Sequence, residues 1–540
     1  MQDRVGTFSN KISIVLYGLI GFLFTFFVKT EWDLSRTGNI IWNTSYVLRL
    51  LALCVLGALA FLLLIFIVRK IFRKLNIQIK EPQKRPKSST VLIVSFALIT
   101  ASFIPFFLAY FPGICAYDLS IQLEQIVGNA YNDHHPIFHT LLIKLSLSLT
   151  GGLWLYTITQ LLLLAFSLAF IVYTLDVHGL PLWAEAIVTL HFCLNLFNGY
   201  MAVSITKDTV FASFLLLFVC AFFLLAKEWK LKRFILLLLS GIGVCIFRNN
   251  GKFAFLVCVF ALFLACIFGK RKRKLYLKLF IGTACSLIVS LAMLKAVFVI
   301  TGADSLDKRE MLSVPIQQLA RTAVCEKENL TPEEQALIDD FILYEAYENY
   351  NPVISDPVKG STNTYIVRHE TSRFLKIYFE LFKKYPGDYI NAALALVGGY
   401  VSPLDETFRM MEVDGRTVTR NYIQYACTAD GFEGIETEHS LWPALKEKLD
   451  DFALNDGFMK PVIKIFYIPG IYLWIYLYIF VRLIEKRKFS GLFPVLLMLA
   501  FFGTLLLGPT MHLRYIYPAM IALPAFLCIG REQTVKPSTL

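Results

Sequence analysis

The residues best suited to chemistry in this 540-residue chain lie in two short polar stretches. One reads Phe111-Pro112-Gly113-Ile114-Cys115-Ala116-Tyr117-Asp118, the other Asn132-Asp133-His134-His135-Pro136-Ile137-Phe138-His139-Thr140. Asp118 follows an apolar run and so stands at a boundary between hydrocarbon and water. Partial desolvation there raises a carboxylate's proton affinity toward what a general base needs. The same aspartate can cap a helix over 119–127, and the two roles are compatible. His135 and His139 are four residues apart, which puts both imidazoles on one helix face, and Asp133 adds a carboxylate, so a divalent metal is one reading. The other has the imidazoles hydrogen-bonding a phosphate or the backbone, with Pro136 opening a helix. We adopt the second and assign no cofactor.

Three further stretches add cations. Lys207-Asp208 follows Ser204-Ile205-Thr206 at the start of an apolar run, Arg248-Asn249-Asn250-Gly251-Lys252 joins two such runs, and His512-Leu513-Arg514-Tyr515 opens another. A charge pair at the mouth of a span is expensive unless it lines a polar cavity. Snorkelling is the plain explanation for Lys207, and a lone arginine at a helix end is ordinarily an anchor. Their expected convergence with Asp118 on one side says more. Fixed cations beside a base suit a reaction that deprotonates a hydroxyl and releases a phosphate.

The elements that must position these residues are membrane helices. The chain is 56% hydrophobic and 17% charged, with a mean hydropathy of +0.60, whereas soluble domains carry about 25% charged residues. Apolar runs fall at 12–28, 46–68, 91–110, 152–175, 182–200, 210–226, 234–247, 253–268, 277–300, 461–481, 492–507 and 515–528, giving about twelve spans. The first lacks a small-residue cleavage motif and reads as an uncleaved helix. The run over 136–149 is too short and polar to cross and suits a helix lying in the interface.

The net charge of +12 would suit nucleic-acid binding if it were spread evenly. It is not: residues 302–460 hold 16 Lys/Arg against 27 Asp/Glu, a net −11, which leaves +23 for the remainder. That surplus clusters in the connections 69–87, 227–233, 270–274 and 482–488, the positive-inside signature. Both termini are then expected in the cytoplasm, with 111–150, 201–209, 248–252, 302–460 and 508–514 on the other side. The expected organisation is a two-helix addition and basic loop at 1–90, a membrane module at 91–301, a mainly helical extracytoplasmic domain at 302–460 and C-terminal spans at 461–540. Within the domain, Thr331-Pro332-Glu333-Glu334 opens an expected helix over 331–350, and 371–384 reads as another. Tyr344, Tyr347 and Tyr350 share a helical spacing that suits a packing face or stacking on sugar rings. Cys325 and Cys427 both lie in this domain, where a disulfide is an option.

Taken together, Tyr117-Asp118 and Asp133-His134-His135-Pro136-Ile137 resemble the two acidic outer-loop segments of the GT-C superfamily of membrane glycosyltransferases, the second departing by one inserted His and a single Pro. More closely, the chain is similar to a bacterial family of uncharacterised GT-C-like proteins. It shares Pro112-Gly113, Asp118, Asp133-His134-His135-Pro136, His139-Thr140, Lys207-Asp208, Pro315-Ile316-Gln317-Gln318-Leu319-Ala320-Arg321 and Arg514-Tyr515. The resemblance runs from about residue 91 onward. It implies an all-α GT-C-like fold and transfer of a sugar from a polyprenyl-phosphate (undecaprenyl-phosphate) carrier to an extracytoplasmic cell-wall or surface-glycan acceptor. On that implication Asp118 is the base, and Lys207, Arg248 and Arg514 bind the carrier phosphate. Asp133, His134, His135, Asp208, Gln317, Gln318, Arg321 and Tyr515 complete the substrate-binding set, with Gln317, Gln318 and Arg321 near the membrane in a domain that selects the acceptor. The rival readings are a surface-polysaccharide polymerase or ligase, for which Asp118→Asn would be nearly harmless, and a lipid-linked-sugar transporter, which calls for mid-membrane polar positions and repeat halves.

Overall fold

The computed structural model describes residues 2–75, 86–115, 117–304, 308–343, 349–403, 407–410, 416–419, 434–437, 439–455 and 457–531. The membrane-level helices begin with α1 (Gln2–Thr37), α2 (Thr44–Leu75) and α3 (Ser88–Ala109). Two shorter helices, α4 (Tyr117–Val127) and α5 (Ile137–Thr150), precede α6 (Trp154–Val177), α7 (Leu182–Leu194), α8 (Leu196–Val203) and α9 (Lys207–Lys227). Then come α10 (Leu231–Ile246), α11 (Gly251–Phe268) and α12 (Arg273–Thr301). Beyond the acidic segment, which holds α13 (Ser313–Cys325), α14 (Pro332–Phe341), α15 (Thr371–Lys384), α16 (Pro386–Val401) and α17 (Pro443–Leu454), the chain ends in α18 (Pro469–Lys486), α19 (Leu492–Leu505) and α20 (Leu513–Ala522). A short antiparallel hairpin pairs Thr407–Met410 with Arg416–Thr419.

All twelve expected spans are helical, but they are not equivalent. Among the described residues eight helices are long and apolar enough to cross a membrane, or nine if the bent α7–α8 pair counts as one crossing. The other three, α10, α19 and α20, have 16, 14 and 10 residues, short of the roughly 20 a straight crossing needs. The chain is a multi-pass, mainly α-helical membrane protein. The α7–α8 bend of 58° is built by asparagines. Asn195 accepts from the Phe197 amide at 3.1 Å and from the Tyr467 hydroxyl at 2.6 Å, and Asn198 donates to the Phe192 carbonyl at 3.0 Å. Side-chain amides thus satisfy backbone groups freed where the ladder breaks.

The central helix is α9, whose side chains are almost all buried against α6, α10, α20 and neighbouring segments. It carries the Lys207-Asp208 pair into the middle of the bundle. The acidic segment forms its own core from Ile316, Leu319, Phe341, Phe374, Leu381 and Tyr389. Its α14 opens on a complete capping box, Thr331 receiving the Glu334 amide and Glu334 the Thr331 amide, and ends at Phe341, short of the 350 expected, where Ile342 pairs with Thr362. Helix α16 joins the domain core through Tyr389 and its packing on α13, and also packs against α1 and α18, with Gly398 pressed against the Glu31 carboxylate.

The domain is tied to the α1–α2 hairpin by Arg321. Fully buried, it donates to the Gly38 carbonyl at 3.0 Å and the Asn39 Oδ1 at 3.3 Å and lies 3.8 Å from Asp388. Asn391 repeats the tie, donating to Asn39 Oδ1 and the Ile40 carbonyl. Arg321→Met is therefore expected to loosen the 38–43 connection, read as several-fold faster proteolysis there while the domain core stays resistant. Unchanged cleavage would mean that helix packing alone holds the hairpin.

Candidate active site

Backbone pairing brings the two polar stretches of the first loop to α9. The Ile114 amide donates to the Val203 carbonyl at 2.8 Å, and the Ile205 amide returns to Ile114 at 3.0 Å. Gly113 permits this approach: its φ is +154°, and a Cβ there would stand 2.5 Å from the Thr157 hydroxyl. On the other side, the Gln160 carboxamide donates to the carbonyls of Met201, Ala202 and Ser204 at 3.3, 3.1 and 2.7 Å. The chain entering α9 is thus fixed from both flanks, and Thr206 caps the helix by accepting from the Asp208 amide.

Asp118, Lys207, His135 and Arg514 meet at this point. Lys207 Nζ is 2.6 Å from Asp118 Oδ2 and 2.8 Å from His135 Nδ1. Arg514 reaches the same carboxylate through Nη1 at 3.1 Å and Nη2 at 3.4 Å. Behind them Asp208, fully buried, pairs with Arg248 and has Arg514 3.8 Å away. Arg248 lies over the rings of Phe211, Phe501 and Tyr515 and donates to Asn250 at 2.8 Å, so its charge is stacked as well as paired.

The electrostatics differ from the expectation at Asp118. Burial does oppose its charge, but Lys207 and Arg514 outweigh burial and hold the carboxyl well below the usual range. In the structure as it stands Asp118 is a weak base. It also sits within the first turn of α4 and is not its cap. His135 is kept neutral by burial and by Lys207, its proton affinity falling well below the imidazole norm. Because the ammonium of Lys207 donates to Nδ1, the ring proton resides on Nε2. That Nε2–H is buried and has no partner among the described residues, and the same is true of Arg514 Nε. Three cations (Lys207, Arg248, Arg514) face two carboxylates (Asp118, Asp208), leaving one positive charge over.

The other expected residues divide. His139 has both ring nitrogens engaged, by Gln122 at 3.0 Å and the Tyr156 hydroxyl at 2.6 Å, so it cannot pair with His135 around a metal. No metal-binding group of three or more His, Cys, Asp or Glu occurs among the described residues. Asp133 is buried at the edge of the cluster, its amide bonded to the Asp304 carbonyl and its own carbonyl accepting from Asn249 at 2.9 Å. Burial pushes its carboxyl up, against the pull of Lys252. His134 is turned toward Glu310, 3.9 Å away. Tyr515 joins through its hydroxyl, 3.2 Å from Arg514.

Gln317, Gln318 and Arg321 do not join the cluster. Gln317 donates to the Asn351 carbonyl, Gln318 donates to the Tyr389 carbonyl and accepts from Tyr378, and Arg321 serves the hairpin. Their bonds are made within the domain and to the α1–α2 connection, away from Asp118 and Lys207. Tyr350 is buried in the same core, while Tyr344, Tyr347 and Cys427 lie outside the described residues. Sequence reading passed over Tyr156, Gln160 and Lys295. The first two lie within an apolar run and carry no charge to draw notice, but Lys295 is a lone cation inside one, and that alone is a signal.

A multi-pass helical protein with two carboxylates held in a buried, net-positive cluster at the mouths of its central helices is the class these features define. The chain belongs to DUF6020, a family of unknown function, whose model matches residues 128–538. That stretch holds the whole cluster except Asp118. No curated protein and no solved structure matches the chain.

Proposed function

We propose that this protein is an integral-membrane glycosyltransferase of the GT-C type. It moves a sugar from a polyprenyl-phosphate donor to a glycan or glycolipid acceptor on the extracytoplasmic face, with both termini in the cytoplasm. The observation that carries the reading is the pair of buried, unpartnered donors, His135 Nε2–H and Arg514 Nε–H, beside a carboxylate in a cluster with one positive charge over. Each orphaned donor costs about 1–3 kcal/mol until an oxygen takes it, and a phosphodiester brings both the oxygens and a single negative charge.

The same binding event converts Asp118 from a weak base into a competent one. A phosphate oxygen competes with Asp118 for Lys207 and Arg514, and every contact drawn off the carboxylate raises its proton affinity. The base is then released where the donor is bound, which keeps proton abstraction tied to the loaded site. The acceptor hydroxyl gives its proton to Asp118 and attacks the anomeric carbon. The bond from that carbon to the phosphate oxygen breaks with its electron pair passing to the phosphate.

The test is transfer by purified protein in nanodiscs, offered a panel of polyprenyl-phosphate sugars and cell-surface glycan acceptors. Transfer or hydrolysis of one donor that falls at least 1,000-fold in a folded Asp118→Asn variant supports the reading. Transfer untouched by the substitution would dismiss Asp118 as base, and inactivity with every donor would turn the reading toward a polymerase or transporter.

A further inference from the structure

Beside the cluster, on the side facing α12, lies a cavity of about 450 Å³. Its lining joins two chemistries: Leu291, Leu294, Phe298 and Val299 of α12 form an apolar wall, and Asp133, Lys252 and Lys295 form a polar end. Leu291 and Val299 are exposed on the helix surface, which in a membrane protein is the surface turned to lipid. The polar end is continuous with the cluster. Asp133 is two residues from His135, Lys252 stands in the first turn of α11 four residues after Arg248, and Asn249 between them donates to the Asp133 carbonyl. Neither lysine forms an ion pair within 4 Å among the described residues, and Asp133 Oδ1 is buried there without a hydrogen-bond partner. A half-buried lysine, an exposed lysine inside an apolar helix and an orphaned carboxylate oxygen are each costly unless something binds them.

The make-up of the crevice says what that is. Two ammonium groups at the head of an apolar groove open toward lipid suit an amphiphile with an anionic head and a hydrocarbon tail. In transfer that description fits the lipid phosphate, which leaves with close to two negative charges. We propose that this crevice is the site of the departing lipid monophosphate, with Lys252 and Lys295 on the phosphate and the hydrocarbon chain along Leu291, Leu294, Phe298 and Val299. This rests on the glycosyl-transfer reading and reassigns part of the phosphate-binding role from Arg248, whose guanidinium is committed to Asp208. Asp133, which lines the same space, can accept from a hydroxyl, and in the donor that hydroxyl belongs to the sugar.

Binding of undecaprenyl phosphate to the purified full chain in phosphatidylcholine nanodiscs tests this without any sugar, so it reads out even where transfer is not observed. The wild type is expected to bind, Lys252→Gln/Lys295→Gln at least 10-fold more weakly, and Leu294→Trp, which fills the crevice, likewise. Lys252→Arg/Lys295→Arg should keep binding within about 3-fold and guards against a merely misfolded double variant. Asp118→Asn should bind at least as tightly as wild type, its carboxylate no longer competing for Lys207 and Arg514, while losing transfer, which separates failure of the crevice from failure of the base. Equal binding by wild type and the glutamine variant would overturn the proposal. So would the absence of binding by wild type, or displacement of the probe by an equal concentration of phosphatidylglycerol, which would make the crevice a phospholipid site.

Discussion

Asp118→Ala is expected to destabilise the protein by about 3–5 kcal/mol, the range for breaking a buried ion pair by removing one partner, and to abolish transfer. The double variant Asp118→Asn/Lys207→Gln is expected to recover most of the stability and none of the activity. The reasoning is a charge count. Without Asp118 the cluster holds Lys207, Arg248 and Arg514 against Asp208 alone, an excess of two positive charges in a site where Asp118 is about nine-tenths buried. Removing Lys207 as well restores the excess of one found in the native protein. Thermal unfolding in detergent, followed in parallel with transfer, decides the matter. A double variant as unstable as the single one would dispose of the charge-balance argument, and a fully active one would reduce Asp118 to a counter-ion. The sign with pH follows from the depressed carboxyl. Its contribution is fully present above the unfolded carboxylate value of about 3.9 and is lost as pH falls through the lower folded value. Asp118 therefore supplies no stability change between pH 5 and 8.

Arg248→Met is the second large effect expected, again about 3–5 kcal/mol with loss of activity. Asp208 has no exposure to solvent, and without Arg248 its nearest cation is Arg514 at 3.8 Å. The surroundings of Arg248 are the rings of Phe211, Phe501 and Tyr515, into which methionine fits. Arg248→Met/Asp208→Asn should accordingly be close to wild type in stability, since replacing a whole buried pair by groups that suit their environment is often neutral. Arg248→Lys should not rescue, because an ammonium cannot both pair with Asp208 and lie flat against three rings. Equal unfolding midpoints for Arg248→Met and wild type would show that Asp208 finds compensation elsewhere.

The helices and the cluster were legible for one reason: charges are rare in the apolar runs, so each that remains at a span's mouth stands out. Lys207-Asp208, Arg248 and Arg514 were visible that way, and the structure gathers them around Asp118. Less was legible where several functions share one residue type. Gln317, Gln318 and Arg321 look like a binding motif, yet a buried guanidinium and two carboxamides also satisfy backbone carbonyls, and each of the three bonds one here. Proton affinity at Asp118 was misjudged because desolvation is a local property of the sequence, whereas its partners come from residues 89 and 396 positions away. The place of α16 escaped notice because three glycines and an asparagine dilute its hydrophobicity, although Gly398 is what lets it lie close to α1.

The backbone pairing of Ile114 with Val203 and Ile205 has a mechanical outcome. Because the strand leading to Asp118 is stitched to the strand leading to Lys207, the two side chains ride on one rigid body, and prising the loop outward carries both together. Arg514 belongs to α20, outside that body. The seam of the site runs between Asp118 and Arg514. A large headgroup that wedges the site apart opens it there, parting the carboxylate from its arginine while leaving the lysine attached.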